Sequence, residues 1–129
     1  MRRVKVSGFD HIVLAVADVT RARRFYERVL GMESREERPG KWSLHFGESK
    51  ISLQDIAAVP KIARGTVPGS GNFCLLTETP IEAVVTHLER EGVAIVEGPG
   101  ERMGATGRIM SVYFNDPEEN LVEVSNRLS

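Results

Sequence analysis

One order of elements is legible twice along these 129 residues, and a repeat of that kind restricts the fold more than any composition does. The first copy opens on Phe9-Asp10-His11-Ile12-Val13-Leu14-Ala15-Val16-Ala17, an apolar run of strand length. Alternation puts His11, Val13 and Ala15 on one face of that strand and Ile12, Leu14 and Val16 on the other. The bulkier set is expected against a helix, which leaves the histidine face free to look into a pocket. Asp18 can cap that helix, whose Ala22, Phe25, Tyr26, Val29 and Leu30 fall on one stripe of a 3.6-residue period. Arg21, Arg23, Arg24 and Arg28 read as its solvated face, and Gly31 as its left-handed stop. A short strand within Glu33–Glu37 is expected next. It leads to a hairpin of Trp42–Phe46, a turn at Gly47-Glu48-Ser49-Lys50, and Ile51–Gln54.

Residues 55 to 71, with Pro60, Gly65, Pro68, Gly69 and Gly71, show no period and read as a connector. The order then restarts. Asn72–Leu76 is a predicted strand, and Thr79-Pro80-Ile81-Glu82 has capping-box form with proline at the first helical position. Ile81, Val84, Val85 and Leu88 make the second apolar stripe, His87 reads as surface, and Gly92 ends the helix. Val93–Val96 reads as a strand and Gly98–Gly107 as a glycine-rich connection. Ile109–Phe114 and Leu121–Ser125 close a second hairpin.

His11 lies 14 residues before Phe25, and Asn72 lies 14 before Thr86. Ser43-Leu44-His45-Phe46 matches Ser111-Val112-Tyr113-Phe114, and Gln54 is expected opposite Glu123. The pattern predicts an α+β fold in which residues 1–129 form one domain. Its β-α-β-β-β units lie at about 8–55 and 71–126, joined by a connector at 56–70, and their two four-stranded sheets share a cavity. Within the first hairpin, pairing Phe46 with Ile51 would pair His45 with Ser52 and Ser43 with Gln54, all on the cavity side. By the same parity Ser111 and Tyr113 stand on the side of Glu123. His45 and Tyr113 thus become candidates to bond a substrate oxygen.

Charge and composition exclude several functions. A formal net charge of -1 gives no general attraction to nucleic acid or to membrane phosphate. No apolar run approaches the ~20 residues that span a bilayer. Met1-Arg2-Arg3-Val4-Lys5-Val6 is basic but lacks the apolar core of a secretory signal. A lone cysteine, Cys74, fits a reducing compartment, so the expectation is a cytoplasmic protein with Cys74 as a small buried hydrophobe.

Three stretches carry a family resemblance: Asp10-His11-Ile12-Val13-Leu14, then Phe25-Tyr26 with Val29-Leu30-Gly31, and Tyr113-Phe114 with Asp116-Pro117 and Asn120-Leu121-Val122-Glu123. Together they resemble the vicinal oxygen chelate superfamily, which includes glyoxalase I, methylmalonyl-CoA epimerase, fosfomycin-resistance proteins, bleomycin-resistance proteins and extradiol dioxygenases. Gly69–Cys74 and Gly98–Gly107 look closest to its small glyoxalase domain-containing proteins.

The resemblance implies one divalent metal, Ni, Co, Zn or Fe, held at His11, Gln54, Asn72 and Glu123. Asn72 stands where the family commonly has histidine, which argues against a dioxygenase triad. It also implies metal-dependent lyase or isomerase chemistry on a small oxygenated metabolite. Glu123 would be the base that abstracts a proton next to a carbonyl. Arg102, in the glycine-rich connection, is a candidate to meet an anionic substrate group. The alternative is a non-catalytic, drug-sequestering protein of the bleomycin-resistance kind. A homodimer is implied in either case. Glu119, where the family turn commonly carries glycine, is expected to adopt positive φ.

Overall fold

The computed structural model describes residues 3–128. In chain order the elements are β1 (His11–Val16), α1 (Val19–Leu30), β2 (Glu33–Arg38), β3 (Lys41–Phe46) and β4 (Ser49–Asp55). After a 3-10 turn at Ile56–Ala58 come β5 (Asn72–Leu76), α2 (Ile81–Arg90), β6 (Ile95–Gly104), β7 (Gly107–Asn115) and β8 (Leu121–Arg127). The fold is α+β: two four-stranded mixed sheets ordered β1-β4-β3-β2 and β5-β8-β7-β6, each built by one β-α-β-β-β unit. In each unit the first strand runs parallel to the fourth, and the remaining pairs are antiparallel.

Each element forms where its residues favour it. Asp18 caps α1 by accepting from the backbone N–H of Arg21, 3.0 Å away, and Gly31 closes the helix at φ 65°. The stripe Ala22, Phe25, Tyr26 and Val29 is buried. The cationic side chains of α1 are not merely solvated, as their spacing suggested. Arg23 stacks on the Trp42 ring at 3.9 Å, Arg21 bonds Glu118, and Arg28 bonds Glu91.

The capping box expected at α2 does not form. Pro80 is the cap residue with no side-chain bond, and the amide of Ile81 is satisfied instead by Asn126 Oδ1 at 2.7 Å. A residue from β8 thus does what Thr79 was expected to do, tying α2 to its own sheet. The glycine-rich stretch after Gly98 is also strand, not connection. β6 runs through it with register breaks between Ile95 and Gly100. Gly98 sits at φ 91°, where a Cβ would lie 2.5 Å from the Ser111 carbonyl oxygen, so only glycine lets the bulged strand approach β7 this closely.

The apolar faces of both sheets and the stripes of both helices make one continuous core. Phe25 meets Phe114 of the other unit with ring centroids 6.2 Å apart. A buried polar joint sits beside that contact. Tyr26 donates to Asp116 at 2.6 Å, and Asp116 also receives the Glu118 and Asn120 backbone N–H groups. Glu118 in turn accepts from the backbone N–H of Ala17 and Asp18. The β7–β8 turn of the second unit therefore grips the start of α1 in the first.

Candidate functional site

Hairpin registers decide which side chains share a face. In the first unit the turn is only Gly47-Glu48, two residues tighter than expected, so Ser43 pairs with Ser52 and His45 with Lys50. The shift is by two residues, so no side chain changes face. His11 pairs with Lys50 and Ala15 with Gln54, placing His11, Gln54, Ser43 and His45 on one surface of the first sheet. In the second, Cys74, Glu123 and Tyr113 stand in one row across β5, β8 and β7.

The repeat relation between the halves also needs correcting. Taking His11 with Asn72, the registers His11–Lys50 and Asn72–Leu121 make Ser52, not Gln54, the counterpart of Glu123. The same reckoning gives Ser43, not His45, as the counterpart of Tyr113. The offset arises before the hairpins, because Ser43 follows His11 by 32 residues whereas Tyr113 follows Asn72 by 41, so most of the added length of the second unit lies between β5 and β7.

Glu123 is the best-organised group on the second sheet. Ser111 Oγ donates to its Oε2 at 2.6 Å, and the Ser125 hydroxyl lies 2.6 Å from Ser111. Both serines are fully buried, so the carboxylate rests on a fixed polar floor. Tyr113 is the β7 neighbour of Glu123, and burial followed by that carboxylate raises the Tyr113 phenol above its ordinary range, with Arg102 opposing. Tyr113 therefore stays a donor at neutral pH. The Arg102 guanidinium lies 5.4 Å from the Tyr113 ring centroid and is paired with Glu97 at 2.6 Å. Strand β6, and not a connection, carries it. Cys74 is exposed rather than buried, 3.2 Å from Ser125 Oγ, and its thiol is pushed up chiefly by burial of the sulfur side.

On the first sheet a second cluster, absent from the sequence reading, surrounds Glu37. Lys50 Nζ donates to Glu37 at 2.6 Å, and the buried Ser43 hydroxyl bonds the same oxygen while lying 2.9 Å from His45 Nε2. Lys50 and Ser43 together pull the Glu37 carboxyl down to about 2. Glu37 lies in a charged run, Glu33–Arg38, whose alternation gives no sign that it meets Lys50 and Ser43 on the sheet surface.

For a metal, the donor atoms still available are what matter. His11 Nδ1 is 2.7 Å from Asp10 Oδ2, which leaves Nε2 as the free ring nitrogen, the usual state of a metal-ligating imidazole. Gln54 spends its amide nitrogen on the Ala58 carbonyl at 3.1 Å and keeps its oxygen. Glu123 keeps one carboxylate oxygen clear of the serines. Each of the three thus keeps one donor atom of a kind that a divalent cation accepts. Asn72 is exposed at the start of β5. A groove of about 400 Å³ between β1, β4 and β5 includes His11, Asn72, Lys50 and Cys74 in its lining, but neither Gln54 nor Glu123. Among the described residues no group of three or more His, Cys, Asp or Glu is gathered for a metal.

Known proteins agree with this architecture. The chain is 46% identical over 122 residues to virulence protein STM3117 of Salmonella typhimurium, covering 93% of this chain and 84% of the relative. The crystal structure of that protein superposes with a TM-score of 0.92 over 97% of this chain and 100% of the other, at 42% identity. Glyoxalase domain-containing protein RDO1 of Mycosarcoma maydis is 36% identical, over 97% of this chain and 71% of the relative. A lactoylglutathione lyase from Agrobacterium tumefaciens shares the fold at a TM-score of 0.76 and 25% identity, with 95% of each chain covered. With residues 8–124 matching its family model, the chain belongs to the Glyoxalase/Bleomycin resistance protein/Dioxygenase superfamily.

Proposed function

We propose that this protein is a glyoxalase- or epimerase-like lyase or isomerase that moves a proton next to a carbonyl of a small oxygenated metabolite. The observation that carries the reading is Glu123: a carboxylate fixed through Oε2 by Ser111 over a buried serine floor, with the phenol of Tyr113 beside it. The fold shared with a lactoylglutathione lyase supports the same reaction class.

In this mechanism Glu123 takes the proton from the carbon beside the carbonyl, and the electron pair left behind moves onto the carbonyl oxygen. Tyr113, kept protonated, donates a hydrogen bond to that oxygen. Glu123 then returns the proton to the neighbouring carbon or to the opposite face. Arg102, 5.4 Å from the Tyr113 ring centroid, orients an anionic substrate group, and His45 bonds a substrate oxygen from the first sheet. His11, Gln54 and Glu123, with Asn72, would hold a divalent metal. When bound, it supplies polarisation of two neighbouring substrate oxygens.

The test is metal uptake followed by calorimetry. Protein without a histidine tag should take up one divalent ion per chain, and His11→Ala should weaken uptake by at least about tenfold. Uptake unchanged in His11→Ala would remove the metal from the reading.

A second reading, sequestration of a drug or metabolite without turnover, is favoured by the groove that holds His11 and Asn72 apart from Gln54 and Glu123. In both readings the protein pairs as a homodimer in the cytoplasm. Phe9, Val13 and Leu76 lie exposed about the first strands of the two halves, and pairing would cover them.

A further inference from the structure

The two halves are not equally filled on their helical side. Counted from the helix starts Val19 and Ile81, Tyr26 and Leu88 hold the same place in their units, and both are fully buried. By the strand registers, Asp116 and Phe46 are likewise counterparts. At the first place the long β7–β8 turn closes over α1, with Tyr26 bonded to Asp116 and Glu118 sealing the helix start. At the second the β3–β4 turn is only Gly47-Glu48, and among the described residues it makes no side-chain bond to α2 like that of Asp116 to Tyr26. A cavity of about 470 Å³ lies there. Phe46, Leu75, Val84, Leu88 and Val124 are among its walls, with His87, Arg28, Thr77 and Thr79 as its polar residues.

The chemistry of the lining selects the occupant. His87 Nε2 is 2.8 Å from the Val29 carbonyl oxygen. A carbonyl only accepts, so Nε2 carries the hydrogen and the neutral ring keeps Nδ1 as an acceptor. A ligand for this place has a flat apolar body for the aliphatic and phenylalanine walls and one hydroxyl or N–H donor for His87. The cavity volume is in the ordinary range for small-molecule sites.

We propose that the cavity between the C-terminal end of α1 and α2 is a second small-molecule site, separate from Glu123, which takes a hydroxylated aromatic compound in the place that the β7–β8 turn fills in the other half. The proposal is independent of the catalytic reading, because no group assigned to proton transfer or metal holding lines this cavity.

The probe is 2-naphthol, compared with its methyl ether, which has the same rings and no donor. Titration of the full chain, followed by calorimetry and methyl NMR, should give saturable 1:1 binding on the order of 0.1 mM. Shifts should centre on Val84, Leu88 and Val124. The ether should bind at least about fivefold more weakly, the worth of one hydrogen bond. His87→Phe should abolish that preference while retaining both compounds. If that variant does not fold, the naphthol-to-ether ratio and the shift map of the unaltered protein decide alone. Absence of saturable binding, equal affinity for naphthol and ether, or shifts centred instead on Ile12 and Ile51 of the groove beside His11 would overturn the proposal.

Discussion

Glu37 and Glu123 show how differently two carboxylates are read from a sequence. Glu123 was identifiable because its strand carries a motif, whereas its supports Ser111 and Ser125 became evident only once the β7–β8 register brought them onto one face. Glu37 was invisible, since its role depends on Lys50 and Ser43 reaching it from neighbouring strands. Cys74 was misread because burial of an edge-strand residue depends on what covers the edge, which a single sequence does not state. The ordinary carboxyl value of 4.5 falls to about 2 at Glu37 in the folded chain. As its folded value is the lower, Glu37 contributes stability that is complete above about pH 5, declines as pH falls toward 2, and vanishes below that. Denaturant titrations of the parent and Glu37→Gln should therefore differ at pH 7 and converge near pH 2. A difference unchanged across that interval would show that Glu37 has no such partners.

Elements were legible where a local signal sets them and obscure where a distant residue does. Asp18, the stripe of α1 and Gly31 define that helix within its own sequence, and the structure follows them. The start of α2 depends on Asn126, far along the chain, so the local capping box misled. Strand β6 was hidden by its glycines, which mark a bulge against Ser111 and not a loop. The β7–β8 turn was read correctly to the residue: Glu119 adopts φ 70°, the one positive value outside glycine among the described residues. A Cβ in that region costs about 1 kcal/mol, so Glu119→Gly should stabilise the protein by roughly 0.5–1 kcal/mol in chemical denaturation. Destabilisation would mean that the Glu119 side chain contributes a contact of its own.

At the scale of the molecule, the repeat was legible and its asymmetry was not. Both β-α-β-β-β units appear in the apolar pattern, but turn length decides how the halves grip each other, and that length was misjudged by two residues in the first hairpin. The longer turn lets Asp116 and Glu118 fasten the second unit to α1. Strand register puts Ser52, not Gln54, in the place that corresponds to Glu123, and the groove that holds His11 and Asn72 includes neither Gln54 nor Glu123. Exposed Phe9 and Leu76 are the surfaces that a partner copy would cover. Light scattering at micromolar concentration should accordingly give twice the 14.3 kDa chain mass, and a stable monomer would refute the pairing. The central claim is that Glu123 moves a proton at a carbon beside a carbonyl, and solvent-deuterium exchange measures that step without requiring net turnover. With divalent metal added in heavy water, a small oxygenated metabolite that calorimetry shows to be bound should acquire deuterium at that carbon, followed by proton NMR. Glu123→Gln should slow the exchange by at least about 100-fold while changing affinity by less than about threefold. Exchange at the parental rate in Glu123→Gln, or none at all from a compound that calorimetry shows to be bound, would contradict the claim.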